Sequence, residues 1–207
     1  MSPRVSREHK AQRRAKLIDA ATEVFIEHGY ENTTMKHVME KAGVSRGGLY
    51  QYFENKEKLF HAVIEDQHRE VMEESLERML KQQDTCWDAL LMTFLGEDKK
   101  PNDKMDPLSP SKLEYFITGR NEEDRRNYAQ QRYHNAYEMT TRILEEGERI
   151  GEFSPRFDRQ VIAKSIIAYI DGLALGHALL DNESLELKQQ TVLLIKFLRW
   201  ALGLEEE

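Results

Sequence analysis

The residues best suited to chemistry lie in one short stretch, GVSRGGLYQYFENKEKLF, residues 43–60. Ser45 brings a hydroxyl, Arg46 a guanidinium, Gln51 an amide, Tyr50 and Tyr52 phenols, and Lys56 an ammonium, all within about three helical turns. Each can donate a hydrogen bond, so the set suits recognition of an anionic, acceptor-rich surface better than bond-breaking. Arg in particular matches the O6 and N7 acceptors of guanine in a major groove. Gly47 and Gly48 stand among these donors, where each weakens a helix by about 1 kcal/mol relative to Ala. Bare glycines let a helix approach a phosphate or base closely, which is a reason to keep them.

Short helices must position these donors. From His9 to His28 the apolar residues Leu17, Ile18, Ala21, Val24 and Phe25 recur at helical spacing up to Gly29. Asn32, Thr33 and Thr34 offer caps for a second helix over Met35–Lys41 that buries Val38 and Ala42, and Gly43 ends it. Ser45 then caps a third helix to about Tyr52, and Asn55 caps a fourth, from Lys56 to about Gln83. Leu49 and Phe53 are expected to face a small core with Val38 and Leu59. Helices joined by a short glycine-containing turn form a helix-turn-helix.

Charge divides along the chain in the same way. The formal net charge is -7, but residues 1–60 hold eleven Lys/Arg against eight Asp/Glu, leaving nineteen against twenty-nine for the rest. Arg4, Arg7, Lys10, Arg13, Arg14 and Lys16 make the first sixteen residues the most basic part, fit for an arm on DNA or simply for solvation. The single cysteine, Cys86, allows no intramolecular disulfide and points to a reducing cytoplasm. Neither a signal-peptide core nor a membrane span of about twenty apolar residues is expected.

The stretch 43–60 closely resembles the signature of TetR-type transcriptional regulators at Gly43, Val44, Ser45, Gly47, Leu49, Tyr50, Tyr52, Phe53, Lys56, Glu57 and Leu59. Ala21, Phe25, Gly29, Thr33 and Thr34 match the upstream helices of that family's DNA-binding domain. The resemblance covers residues 10–60, and length and helix order beyond it fit the family's usual nine-helix plan. It implies a homodimer on a palindromic operator, with two recognition helices roughly 34–36 Å apart in successive major grooves. Carried over by position, Lys36, Arg46, Gly47, Gly48 and Tyr50 face bases or sugars, and Thr34, Ser45, Tyr52 and Lys56 meet phosphates. Gly48 stands where many members have Thr or Ser, which shifts base reading toward Arg46 or Gln51.

The remainder reads as helices throughout, so the chain is expected to be all-α, with a DNA-binding domain over 1–60 and a helical ligand-binding and dimerisation domain over 61–207. The polar EDKKPNDKMDPLSP, with three prolines, is its clearest loop. Helices near Asp158–Leu180 and Ser184–Leu202 are apolar on more than one face, which fits either a buried core or a two-fold interface through Ile167, Ile170, Ala174, Ala178, Leu194, Phe197 and Leu198. The family's second domain senses a small molecule. Trp87, Met92, Phe94, Tyr115, Phe116, Tyr133, His134, Tyr137, Met139 and Asp171 are the pocket candidates, with a hydrophobic effector as the default. His61 with Glu65 and His134 with Glu138 stand at i, i+4 without a third ligand, and no catalytic fingerprint occurs, so no metal, cofactor or enzymatic reaction is expected. A helical adaptor with a vestigial helix-turn-helix, and an activator with the same DNA contacts, are the competing non-enzymatic readings.

Overall fold

The computed structural model describes the backbone of residues 7–73 and 83–204 and the side chains of 9–66 and 83–204. The described residues are helical in every regular element and divide into two compact units. The first comprises residues up to 73 together with Pro110–Thr118, and the second the remainder.

In the first unit, α1 (Arg7–Asn32) carries the expected buried stripe of Leu17, Ile18, Ala21, Val24 and Phe25. Gly29, at φ 76° and ψ 171°, breaks the helical path, a conformation that glycine adopts without steric cost. The break turns Tyr30 inward, where it is fully buried. Next comes α2 (Met35–Ala42), opened by Thr34, whose Oγ1 accepts from His37 N at 3.2 Å, and closed by Gly43 at φ 64°. The third helix, α3 (Arg46–Tyr50), is capped by Ser45 Oγ, which accepts from Gly48 N at 3.3 Å. It stops two residues before the expected end because Tyr52 N and Phe53 N both turn back to Leu49 O. Asn55 Oδ1 accepts from Lys58 N at 2.8 Å and opens α4 (Lys56–Glu73), whose residues 74–83 of the expected span lie mostly outside the described set.

Val38, Leu49, Phe53 and Leu59 are each buried, as their spacing requires. The same unit holds an aromatic cluster: Phe60 is 4.6 Å from Phe25, 4.8 Å from Tyr30 and 5.2 Å from Tyr115 between ring centres. Tyr115 comes from α6 (Ser109–Thr118), far along the chain. On the same helix Ser111 Oγ donates to Phe25 O at 2.6 Å and Glu114 Oε2 accepts from Glu31 N at 3.2 Å, next to the Gly29 break. The boundary expected after residue 60 therefore falls inside α4, and α6 completes the first unit's core.

The second unit begins with α5 (Cys86–Leu95) and an irregular stretch up to residue 108. A 3₁₀ turn (Gly119–Asn121), α7 (Glu123–Arg149), α8 (Arg159–Leu179), the four-residue α9 (Asn182–Leu185) and α10 (Leu187–Ala201) follow. The core gathers Leu90, Ile143, Leu144, Phe153, Ile162, Ile166, Leu194, Leu198 and Leu202. Gly147 is obligatory there, because a Cβ at that position would run into the Phe153 ring.

The start of α5 is held from a distance. Glu152 accepts from Cys86 N and Trp87 N at 2.8 Å each, while Thr85 caps Asp88 N. Burial, together with the Glu152 carboxylate, pushes the Cys86 thiol up to about 11, so it stays a protonated, unreactive core group. Replacing Glu152 with Ala leaves two partly buried amides without this acceptor and is expected to cost about 1–2 kcal/mol, lowering Tm by roughly 3–6 °C. A thermal melt unchanged within a degree would remove Glu152 from this role.

The interface residues expected on the last helices divide in the structure. Ala174, Leu194 and Leu198 are buried in the protomer's own core, so they cannot form an intersubunit face without unpacking it. Ile167 and Ile170 are half-buried, while Ala178 and Phe197 are exposed. The apolar surface open to solvent runs instead through Val161, Leu175 and Leu179 on α8 and Leu193, Phe197 and Trp200 on α10. This second apolar face also makes α8 long and apolar enough to cross a membrane by length and composition, which the sequence reading did not allow for. It carries Lys164 and Asp171, and its other face packs in the core.

Candidate nucleic-acid interface

The helix-turn-helix presents its donors on the face opposite its core. Leu49 is fully buried, which fixes the rotation of α3, and Arg46, Gly47, Tyr50 and Gln51 are left exposed. Arg46 lies over the Tyr50 ring, its Cζ 5.3 Å from the ring centre, so the guanidinium is held in place by a cation–π contact before any ligand arrives. Open space surrounds Gly47 on the side where a Cβ would stand. At Gly48 a Cβ would touch Val44 Cβ at 3.4 Å and Ser45 Oγ at 3.5 Å. Tyr52 is half-buried. On α2, Lys36 is exposed and pairs loosely with Glu40 at 3.6 Å, while Thr34 sits at the helix start with its hydroxyl engaged as a cap.

One expected contact residue is placed differently. Lys56 Nζ donates to Tyr30 O at 2.7 Å and Glu31 O at 3.1 Å and lies 4.3 Å from the Tyr30 ring centre. Its ammonium thus ties α4 to the end of α1, where the Gly29 break leaves carbonyls without helical partners. This clasp, rather than an outward-facing donor for a phosphate, is what the structure assigns to Lys56. Sequence reasoning missed it because the acceptors are backbone atoms twenty-five residues away.

Among the described residues, the pocket candidates of the second unit have separate surroundings. Tyr133 donates to Asp171 Oδ2 at 2.6 Å, and the Tyr137 ring lies 5.9 Å from that of Tyr133. Burial raises both the Tyr133 phenol and the Asp171 carboxyl, and their hydrogen bond holds the phenol up further. Trp87, Phe94 and Met139 pack on the core, and the Arg199 guanidinium lies over the Trp87 ring. Met92 accepts from Gln83 Nε2 at 3.3 Å, and His134 is exposed. Tyr115 and Phe116 belong to the first unit on α6, where the Tyr115 hydroxyl donates to Glu57 Oε1 at 2.8 Å and lies 2.6 Å from His61 Nε2. His61 thus faces Tyr115 and, 3.8 Å away, Glu57. A separate cleft of about 70 Å³ is lined by Phe94, Ile170, Leu173 and Leu194, with Asn102 and Lys104 also at its wall. Of the candidates, only Phe94 reaches it. Its loop residues were invisible to a search for aromatic side chains on helices.

Family models match both units of the chain: "Bacterial regulatory proteins, tetR family" over residues 17–63 and "Tetracyclin repressor-like, C-terminal domain" over residues 90–188. The uncharacterised HTH-type transcriptional regulator YfiR of Bacillus subtilis is 37% identical over 186 residues, 88% of each chain. Among solved structures, a TetR-family regulator from Cytophaga hutchinsonii superposes with a TM-score of 0.70 at 22% identity, covering 98% of each chain. SmeT, the repressor of a Stenotrophomonas maltophilia multidrug efflux pump, in its triclosan complex gives a TM-score of 0.70 at 25% identity, over 92% of this chain and 91% of that one. With a capped helix-turn-helix whose donors face outward and likeness extending through the second unit, the chain belongs to the TetR family of transcriptional regulators.

Proposed function

We propose that this regulator is a cytoplasmic repressor that binds a palindromic operator as a homodimer and lets go when a small hydrophobic effector enters its second unit. The observation that carries the DNA half is the fixed rotation of α3: Leu49 is locked in the core, and Arg46, Tyr50 and Gln51 stand outward with Gly47 clear between them. Arg46 is the base reader, with Lys36, Gly47, Gly48, Tyr50 and Gln51 at bases or sugars and Thr34, Ser45 and Tyr52 at phosphates. The exposed apolar faces of α8 and α10 make the two-fold interface.

Release follows from the wiring of the chain. Residues Pro110–Thr118 of α6 pack in the DNA-binding unit, while Ser109 and Gly119 on either side belong to the other unit. An effector that shifts those flanking residues pulls on the helix that grips Phe25 and Glu31. The 70 Å³ cleft is several-fold smaller than a drug-sized site of about 300 Å³ or more, so an effector that enters there favours an opened form of it. SmeT with triclosan sets the precedent for an aromatic, hydrophobic occupant.

The test is selection of binding sites from random duplex DNA, then titration of the best site at two salt concentrations. A palindrome bound with a steep salt slope supports the reading, and no enrichment from refolded, ligand-free protein rules it out. On the selected operator, Arg46→Ala is expected to cost about 1–3 kcal/mol in each half-site and to relax preference at one base pair there. Unchanged preference in a repeat selection would take Arg46 out of base reading.

A further inference from the structure

We propose that Arg13 of α1 holds an operator phosphate beside the recognition helix, and that the lack of a branched side chain at position 48 leaves room for its guanidinium. The proposal rests on the DNA-binding reading and adds to it a contact from outside the helix-turn-helix. His9, Arg13 and Lys16 recur at four and three residues and so share one face of α1. That face, with Leu17 and Val44 at its base, bounds a cleft of about 250 Å³ against the turn between α2 and α3. Arg13 Nη2 lies 3.8 Å from the point where a Cβ on Gly48 would stand, so its guanidinium reaches over the first turn of α3. The adjacent Arg14 is occupied elsewhere, with its Cζ 5.4 Å from the centre of the Phe53 ring. Arg13 is exposed, and no carboxylate among the described residues pairs with it.

Its planar fork suits a phosphate, which accepts two parallel N–H bonds. The choice of phosphate over a base edge follows from position. Arg13 and Lys16 project from α1 at the side of α3, and two cations in a row along a cleft match a run of backbone phosphates. Gly48 sets the fit. A methyl group there meets Arg13, Val44 and Ser45 at ordinary contact distances, and Thr adds two further atoms to that already filled neighbourhood. The chain thus replaces a hydroxyl on the recognition helix by a charge delivered from α1.

The experiment titrates the selected operator and mismatched sites at several salt concentrations with wild-type protein, R13A, R13K, G48A, G48T and the R13A/G48T double variant. R13A is expected to weaken every site by a similar factor, about tenfold or more at low salt, with base preference kept and the slope of log affinity against log salt reduced by about two, one for each half-site. R13K keeps the slope with part of the affinity, G48A keeps the wild-type salt slope, G48T reproduces the slope loss of R13A, and the double variant has no smaller slope than either single one. Arg13 is exposed, so a melt matching wild type shows that losses are not unfolding. Wild-type affinity in R13A, an unchanged slope, or a shifted preference at one base pair would overturn the phosphate assignment. Equal further loss from G48T in the R13A background would overturn the role of Gly48. If wild-type protein itself shows no salt-dependent affinity, the regulator reading fails before any variant is compared, and this proposal falls with it.

Discussion

Phe197→Glu is expected to give a folded monomer that no longer holds its operator. Phe197 is 54% exposed on α10, and Leu175, on the facing apolar surface of α8, is 43% exposed. Neither side chain is needed by the protomer's core, so the charge is tolerated in the monomer. At a two-fold interface the same substitution acts twice, and each copy loses about 1.5–3 kcal/mol of aromatic burial before any desolvation of the carboxylate. A total of about 4 kcal/mol or more weakens the dimer roughly a thousandfold. A single half-site contact remains, so operator affinity falls by orders of magnitude. Sedimentation at micromolar concentration with circular dichroism as the folding control reads the result directly. A dimer that persists would place the interface on another surface. Leu194 and Leu198 are unsuitable for this test, since both are buried within the protomer and substitution there unfolds it.

The second large effect concerns the DNA-binding unit alone. Phe60 is fully buried and touches Phe25, Tyr30 and Tyr115, so truncation to Ala leaves a cavity among three rings. Such substitutions cost about 3–5 kcal/mol, comparable with the whole stability of a small unit. Both tryptophans of the chain, Trp87 and Trp200, lie in the second unit. Tryptophan emission should therefore change little in Phe60→Ala, while helicity and operator binding drop. Loss of the tryptophan signal at the same denaturant concentration would mean that the two units unfold as one.

What could be read early was local. Thr34 and Ser45 cap the next helices through their own hydroxyls, and Gly43 turns left-handed at φ 64°. The buried stripe of α1 follows helical spacing. Each of these depends on residues within four positions of one another, where side-chain chemistry and backbone geometry act directly. Residues 43–60 carried enough such constraints to reveal their purpose, since glycines that weaken a helix among so many donors need a reason outside the fold.

Lys56, Glu152 and Tyr115 show where that legibility stopped. Their partners stand twenty-five to sixty-six residues away: carbonyls at the Gly29 break, amides at the start of α5, and a histidine and glutamate on α4. Nothing in their spacing signals such encounters. The apolar helices α8 and α10 pose the same difficulty, because composition reports that two faces are apolar without saying which one the protomer uses. Sequence alone thus determined the helical class, the helix-turn-helix and the outward set of donors, through short-range periodicity and capping. Only the tertiary structure decided that α6 joins the DNA-binding unit, that Lys56 is a clasp, and that Leu194 and Leu198 are buried in the protomer while Phe197, from the same candidate set, stays exposed, because burial and long-range hydrogen bonds are properties of elements brought together by packing.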